Sequence, residues 1–130
     1  MSFAFSETSL RRMDGVDPRL KHIAQLALTI SRVDFGIPEY GGLRTEEEQR
    51  ELFDSGASKR DGKDKKSYHQ SGKALDFYAY VDGRASWDEL HLAMVAAAFL
   101  QAASILGHSL QWGGLWEDFQ DMPHVQLLEK

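Results

Sequence analysis

The stretch Ser67-Tyr68-His69-Gln70-Ser71-Gly72-Lys73-Ala74-Leu75-Asp76-Phe77-Tyr78-Ala79-Tyr80-Val81-Asp82-Gly83 passes from loop to strand to turn. Its second half, Ala74–Val81, is rich in Tyr, Phe and Val, side chains that fit a pleated, half-buried surface, and Asp82-Gly83 follows as a turn pair. Its first half is polar and ends a loop at His69. Gly72 frees the backbone for a tight turn, which brings the imidazole of His69 toward the carboxylate of Asp76.

Helices flank this strand on both sides. Asp17 suits an N-cap and Pro18 a first helical position, and Leu20, Ile23, Ala24, Ala27 and Ile30 then form an apolar stripe at helical spacing. His22 falls off that stripe and belongs to the surface. Thr45-Glu46-Glu47-Glu48 is a capping box that opens a second helix, running to about Ser55 and stopped by Gly56. Residues Ala57–Lys66 are polar and Lys-rich and read as a loop. Ser86-Trp87-Asp88-Glu89 reads as another capping box, opening a long helix that ends before Gly107. Its Ala93, Ala96, Ala97 and Ala98 predict close packing against the sheet. Leu110-Gln111-Trp112 and His124–Leu128 have strand length. Helices and strands do not alternate as βαβ units, so the expectation is an α+β fold: one compact domain over residues 1–130, with helices packed on a small antiparallel sheet.

Composition narrows the chemistry. The 130 residues include no cysteine, so any metal must be held by His, Asp or Glu, and a thiol nucleophile is excluded. The formal net charge is -5, with basic residues concentrated only around Lys59–Lys66, which argues against nucleic acid as the main partner. The first residues lack the basic and apolar regions of a signal peptide. Leu90–Leu106 is interrupted by His91, Gln101 and Ser104 and is short for a membrane span. The expectation is a chain made in the cytoplasm, without a membrane partner.

The reactive residue types concentrate in Ser67–Asp76 and in Asp121-Met122-Pro123-His124. His69, Asp76 and His124 would together give three ligands and leave a fourth position for water, the pattern of a catalytic zinc. Asp121, three residues before His124, would then stand beside that water as a general base. Spacing alone equally allows isolated polar histidines, with Asp76 ending a turn and Asp121 capping a local loop. His22, His91 and His108 match no such pattern.

The pattern Ser-x-His-x-x-Gly-x-Ala-x-Asp, filled by Ser67, His69, Gly72, Ala74 and Asp76, resembles the signature of a zinc peptidase family. This is the VanY-type family of D-alanyl-D-alanine carboxypeptidases and L-alanyl-D-glutamate endopeptidases; Asp121 and His124 fill its second motif. Gly42-Leu43-Arg44-Thr45 leading into Gln49 is similar to its Gly-Leu-Arg-Thr segment, and Trp112-Gly113-Gly114 to its Trp-Gly-Gly approach. The resemblance runs through nearly the whole chain and is strongest to small endolysins of tailed phages.

It implies a fold of the hedgehog/D-Ala-D-Ala peptidase kind with Zn2+ at the sheet, held by His69, Asp76 and His124. Asp121 would be the base. Arg44 would bind a substrate carboxylate or stabilise the reacting centre, with a surface salt bridge to Glu47 or Glu48 as the competing role. Ser67 would be a substrate contact or a loop cap, and Trp112 a pocket wall or a core residue. The implied substrate is the stem peptide of bacterial peptidoglycan. A monomeric chain would reach the wall from the host cytoplasm by holin-type release and without a separate wall-binding domain. The shorter Asp at position 121 resembles the endopeptidase group. The alternatives are a D-alanyl-D-alanine carboxypeptidase and a non-catalytic zinc-containing wall-binding module.

Overall fold

Phe77 is the pivot of the fold. In the computed structural model, which describes residues 3–118 and 120–128, the apolar run 74–81 divides there into two strands that join different sheets. β1 (Asp34–Gly36), β3 (Tyr78–Val81) and β4 (Arg84–Ser86) form one antiparallel sheet with β3 central. β2 (Ala74–Asp76), β5 (Leu110–Trp112) and β6 (His124–Leu127) form the other, with β6 central. The single strand and single sheet expected from the sequence are thus replaced by two short strands and two three-stranded sheets. The cause is the burial of Phe77: its ring stacks on Phe99 at 5.2 Å and meets the edge of Phe35 at 6.3 Å, while its amide donates to the Pro123 carbonyl at 2.9 Å. The turn at Asp82-Gly83 is present, both residues having positive φ (52° and 78°).

Among the described residues, four α-helices surround the sheets. α1 (Glu7–Arg12), absent from the sequence reading, is capped by Ser6, whose Oγ accepts from the Ser9 amide at 3.1 Å. It pins the chain after β1: Ser9 Oγ accepts from the Ile37 amide at 3.1 Å, and Arg12 Nη1 donates to the Ile37 carbonyl at 3.0 Å. α2 (Pro18–Ile30) starts at Asp17 as expected and buries Leu20, Ile23, Ala24, Ala27 and Leu28, with Ile30 only partly covered. α3 (Glu46–Asp54) has both halves of its capping box and ends at Ser55, with Gly56 left-handed behind it.

α4 (Glu89–Leu106) begins later than a Ser86 cap would place it. Asp88 is the N-cap, accepting from the Leu90 amide at 2.9 Å, because the Ser86 hydroxyl sits at the end of β4 and contacts His91 Nδ1 at 2.7 Å. It packs mainly along α2 and also against β3 and β5, one strand of each sheet, and Leu92, Val95, Ala96, Phe99, Ala102 and Ala103 are buried. α4 has the length and apolarity of a membrane span, but this face is part of the core. Full burial of each large side chain there is worth about 1.5–3 kcal/mol.

Candidate metal centre

Three elements bring the cluster together. His69 lies in one 3-10 turn, Tyr68–Ser71, closed at its start by Ser67. Ser67 Oγ accepts from the His69 amide at 3.2 Å, and the Ser67 amide donates to Gln70 Oε1 at 2.8 Å. Gly72 ends the turn at φ +74°, where a Cβ would stand 2.7 Å from the Gly15 carbonyl oxygen, so a side chain is excluded twice over. Asp76 closes β2, and His124 opens β6 directly opposite it. The Asp76 amide donates to the Gly41 carbonyl at 2.8 Å, tying the strand to the loop that also supports His69.

The inward atoms form a nearly equilateral triangle. His69 Nε2 is 3.2 Å from Asp76 Oδ1 and 3.3 Å from His124 Nδ1, and the remaining edge, His124 Nδ1 to Asp76 Oδ1, is 3.0 Å. The outward nitrogens set the tautomers. His69 Nδ1 lies 3.0 Å from the Gly42 carbonyl oxygen, which only accepts, so that nitrogen carries the proton. His124 Nε2 lies 2.8 Å from Gln126 Oε1 and donates to it, and Gln126 in turn donates to Gln111 Oε1 at 3.3 Å. Two neutral imidazoles therefore aim lone pairs at each other and at a carboxylate oxygen.

Three acceptors converging with no proton between them repel one another unless a cation joins them. With a proton as the only available cation, His124 takes it. Burial disfavours the imidazolium, but the hydrogen bond and charge of Asp76 outweigh that and raise the His124 pKa. Burial likewise opposes the Asp76 charge, and the neighbouring imidazoles overcome it, holding the carboxyl well below the usual range. A divalent ion meets the same need with three ligands at once. Zinc at about 2.0–2.1 Å from tetrahedral ligands requires edges of about 3.3 Å between them, which this triangle matches, and two imidazoles with one carboxylate suit its preferences.

Around the triangle the support is specific. Arg44, largely buried, spends its fork on three partners: Nη2 donates to Asp76 Oδ2 at 2.9 Å, Nη1 to Gln49 Oε1 at 3.0 Å, and Nε to the Tyr40 carbonyl at 2.8 Å. It turns the other Asp76 oxygen toward the imidazoles, and no salt bridge to Glu47 or Glu48 is present among the described residues. Asp121 Oδ2 stands 3.8 Å from His124 Nδ1 and remains partly open to solvent. Burial and the Asp76 charge raise its pKa against the opposing pull of the imidazoles and Arg44. Its backbone is fixed by Gly113, which accepts the Asp121 amide at 2.9 Å and approaches too closely for a Cβ.

A cleft of about 650 Å³ opens onto the cluster, lined in part by Arg44, Ser67, Asp121, Trp116, Lys59 and Arg60. Of the residues singled out from sequence, His69, Asp76, His124, Asp121, Arg44 and Ser67 all meet here. Ser67 also fills the capping role. Trp112 does not line the cleft: its indole N–H donates to the Met122 carbonyl at 2.7 Å, behind the wall. Trp116 takes the position at the cleft, its ring 5.2 Å from that of His124. The sequence reading missed Trp116, Gln126 and the structural part of Gln49. Gln126 was detectable in principle, since residues two apart in a strand share a face with His124.

Comparison with known proteins finds relatives over nearly the whole chain. Residues 1–127 match the family model described as phage L-alanyl-D-glutamate peptidase. The chain is 36% identical over 126 residues to the L-alanyl-D-glutamate peptidase of Escherichia phage T5, covering 93% of this chain and 89% of that protein. It is 31% identical over 98 residues to the peptidoglycan L-alanyl-D-glutamate endopeptidase CwlK of Bacillus subtilis, covering 67% of this chain and 58% of that one. Among solved structures, the Serratia marcescens L-Ala D-Glu endopeptidase ChiX superposes with a TM-score of 0.84 at 35% identity, covering 96% of this chain and 90% of that one. With its motifs, fold and near full-length match in accord, the chain belongs to the phage L-alanyl-D-glutamate peptidase family.

Proposed function

We propose that this chain is a zinc-dependent endopeptidase that hydrolyses the L-alanyl-D-glutamate bond of the peptidoglycan stem peptide. The observation that carries the reading is the convergence of His69 Nε2, Asp76 Oδ1 and His124 Nδ1 within 3.0–3.3 Å of one another, with the Asp121 carboxylate 3.8 Å from His124 Nδ1. The bond is the one named for each of the relatives above.

Zinc held by His69, Asp76 and His124 would supply Lewis acidity to the site. Asp121 would take a proton from the water that adds to the scissile carbonyl carbon and hand it to the amine nitrogen released when the carbon–nitrogen bond breaks. Arg44 keeps Asp76 from rotating, and Gln126 does the same for His124. Ser67 and Trp116 border the substrate, while Trp112 supports the wall. The same reading has a monomer acting at the wall after holin-type release.

Zinc-loaded protein incubated with purified sacculi tests the proposal. Mass spectrometry of the products should show new alanyl carboxyl ends and glutamyl amino ends. Loss of a terminal alanine instead would make the chain a carboxypeptidase. Metal binding without any cleavage across about pH 6–9, where zinc-activated water is available, would make it a binding module.

A further inference from the structure

The basic run Lys59–Lys66 stands apart in an acidic chain and has no part in the metal cluster. A Lys-rich loop is ordinarily free to move, yet this one is fastened from beneath. Gln49, fully buried on α3, donates from Nε2 to Ser58 Oγ and to the Arg60 carbonyl, both at 2.8 Å. Its Oε1 accepts from Arg44, which holds Asp76. Gln70, in the turn that carries His69, donates to the Gly62 carbonyl at 2.7 Å. Gly62, at φ +90°, packs so closely that a Cβ would stand 3.1 Å from Gln49 Cβ. The loop backbone is thereby referenced to two metal-ligand segments at once.

This fastening has a directional result. Lys59 and Arg60 are exposed and line the same cleft as His69, Asp76 and His124, whereas Lys63, Lys65 and Lys66 do not line it. Two adjacent cations on a fastened backbone at a peptide cleft suit an anion, and Arg60, whose Nη1 reaches the Lys66 carbonyl at 3.4 Å, has further N–H donors for it. A glutamyl residue has two carboxyls, and a peptide continues through only one, so the other stays ionised at neutral pH. Arg44 is already engaged by Asp76, Gln49 and Tyr40. We propose that Lys59 and Arg60, on the loop stapled by Gln49 and Gln70, form a subsite for a free carboxylate of the stem peptide. The proposal deepens the peptidoglycan reading above and rests on it.

The test uses three stem peptides: one with all carboxylates free, one amidated at the glutamyl residue, and one amidated at the residue that follows. Binding to zinc-loaded Asp121→Ala protein is measured by calorimetry, and cleavage by wild-type protein is followed alongside. One amidation should weaken binding about 10-fold, the scale of one charge-assisted contact, and thereby identify which carboxylate is held. In the Lys59→Gln/Arg60→Gln background that preference should shrink to about 2-fold or less, whereas Lys63→Gln/Lys65→Gln, with the same charge loss, should keep it. Equal binding of all three peptides, or equal loss of preference in both double variants, would overturn the subsite. Cleavage at a different bond with the preference intact would overturn the parent reading instead. No binding of any peptide would overturn both.

Discussion

Asp76 and His124, 48 residues apart, face each other directly across the β2–β6 ladder, with His124 Nδ1 3.0 Å from Asp76 Oδ1. The register that pairs them also pairs Leu75 with Val125, both fully buried. A slip by one residue would turn one ligand to the opposite face and expose an apolar side chain. Core packing therefore selects the ligand pair, and the 3-10 turn only has to add His69.

Removing any corner of the triangle should remove the metal. His69→Ala, Asp76→Ala and His124→Ala are each expected to lower zinc from about one ion per chain to near none by elemental analysis. In wild-type protein, zinc at about 100 times its dissociation constant adds about 2.7 kcal/mol, on the order of 10 °C in Tm for a domain of this size. A chelator should abolish that increment in wild type and change nothing in the three variants. A variant that kept both zinc and the increment would show that its residue is not a ligand.

Gln126 should matter for affinity without touching the ion. It accepts the outward proton of His124 and is itself held by Gln111. Gln126→Ala is expected to weaken zinc binding about 10–100-fold, the usual scale for losing the partner of a ligating histidine. Gln126→Glu, which still presents an acceptor, should recover most of it. Competition with a chromophoric chelator reads both, and unchanged affinity in the alanine variant would mean that strand packing alone orients His124.

What could be read from sequence was local. His69, Gly72 and Asp76 fall within eight residues, and the glycine's role as the end of a tight turn follows from its lack of a Cβ. Long-range features were hidden for physical reasons. A strand that changes sheets at Phe77 has the same apolar composition as one that continues, so the break is visible only through the rings packed on it. α1 has six residues and no repeating apolar stripe. Ser86 and Asp88 are both good caps, and the choice between them depends on β4 ending at Ser86. Gln49 is a polar residue whose reason for burial lies in Arg44, Ser58 and Arg60.

The start of α2 offers a test of stability against pH. Asp17 accepts from the Arg19 amide at 2.9 Å and from its guanidinium at 3.0 and 2.8 Å, and the Arg19 side chain lowers its pKa to about 2. A carboxyl with a depressed folded-state pKa stabilises fully above its unfolded value of about 3.9 and loses that contribution as pH falls through the folded value. Asp17→Ala should therefore cost about 1 kcal/mol at pH 7, typical of a lost N-cap. In denaturant unfolding, the gap between variant and wild type should narrow as pH falls from 4 toward 2. A gap independent of pH would assign the loss to packing instead of charge.

Asp121 differs from the three ligands in the direction of its shift. Burial and the charge of Asp76 raise its pKa, so in metal-free protein its carboxyl should titrate above the ordinary aspartate range. A bound dication favours the ionised form, so zinc should move that titration downward; carboxyl carbon NMR of both forms checks the sign. Turnover should fall on the acid side as Asp121 takes up a proton, because a protonated carboxyl cannot accept another. Asp121→Ala should retain zinc, lose about 10²–10⁴-fold in turnover and lose that acid limb from whatever rate remains. Zinc lost from Asp121→Ala but kept by Asp76→Ala would exchange the roles of ligand and base, despite the shorter reach of Asp76 to both imidazoles.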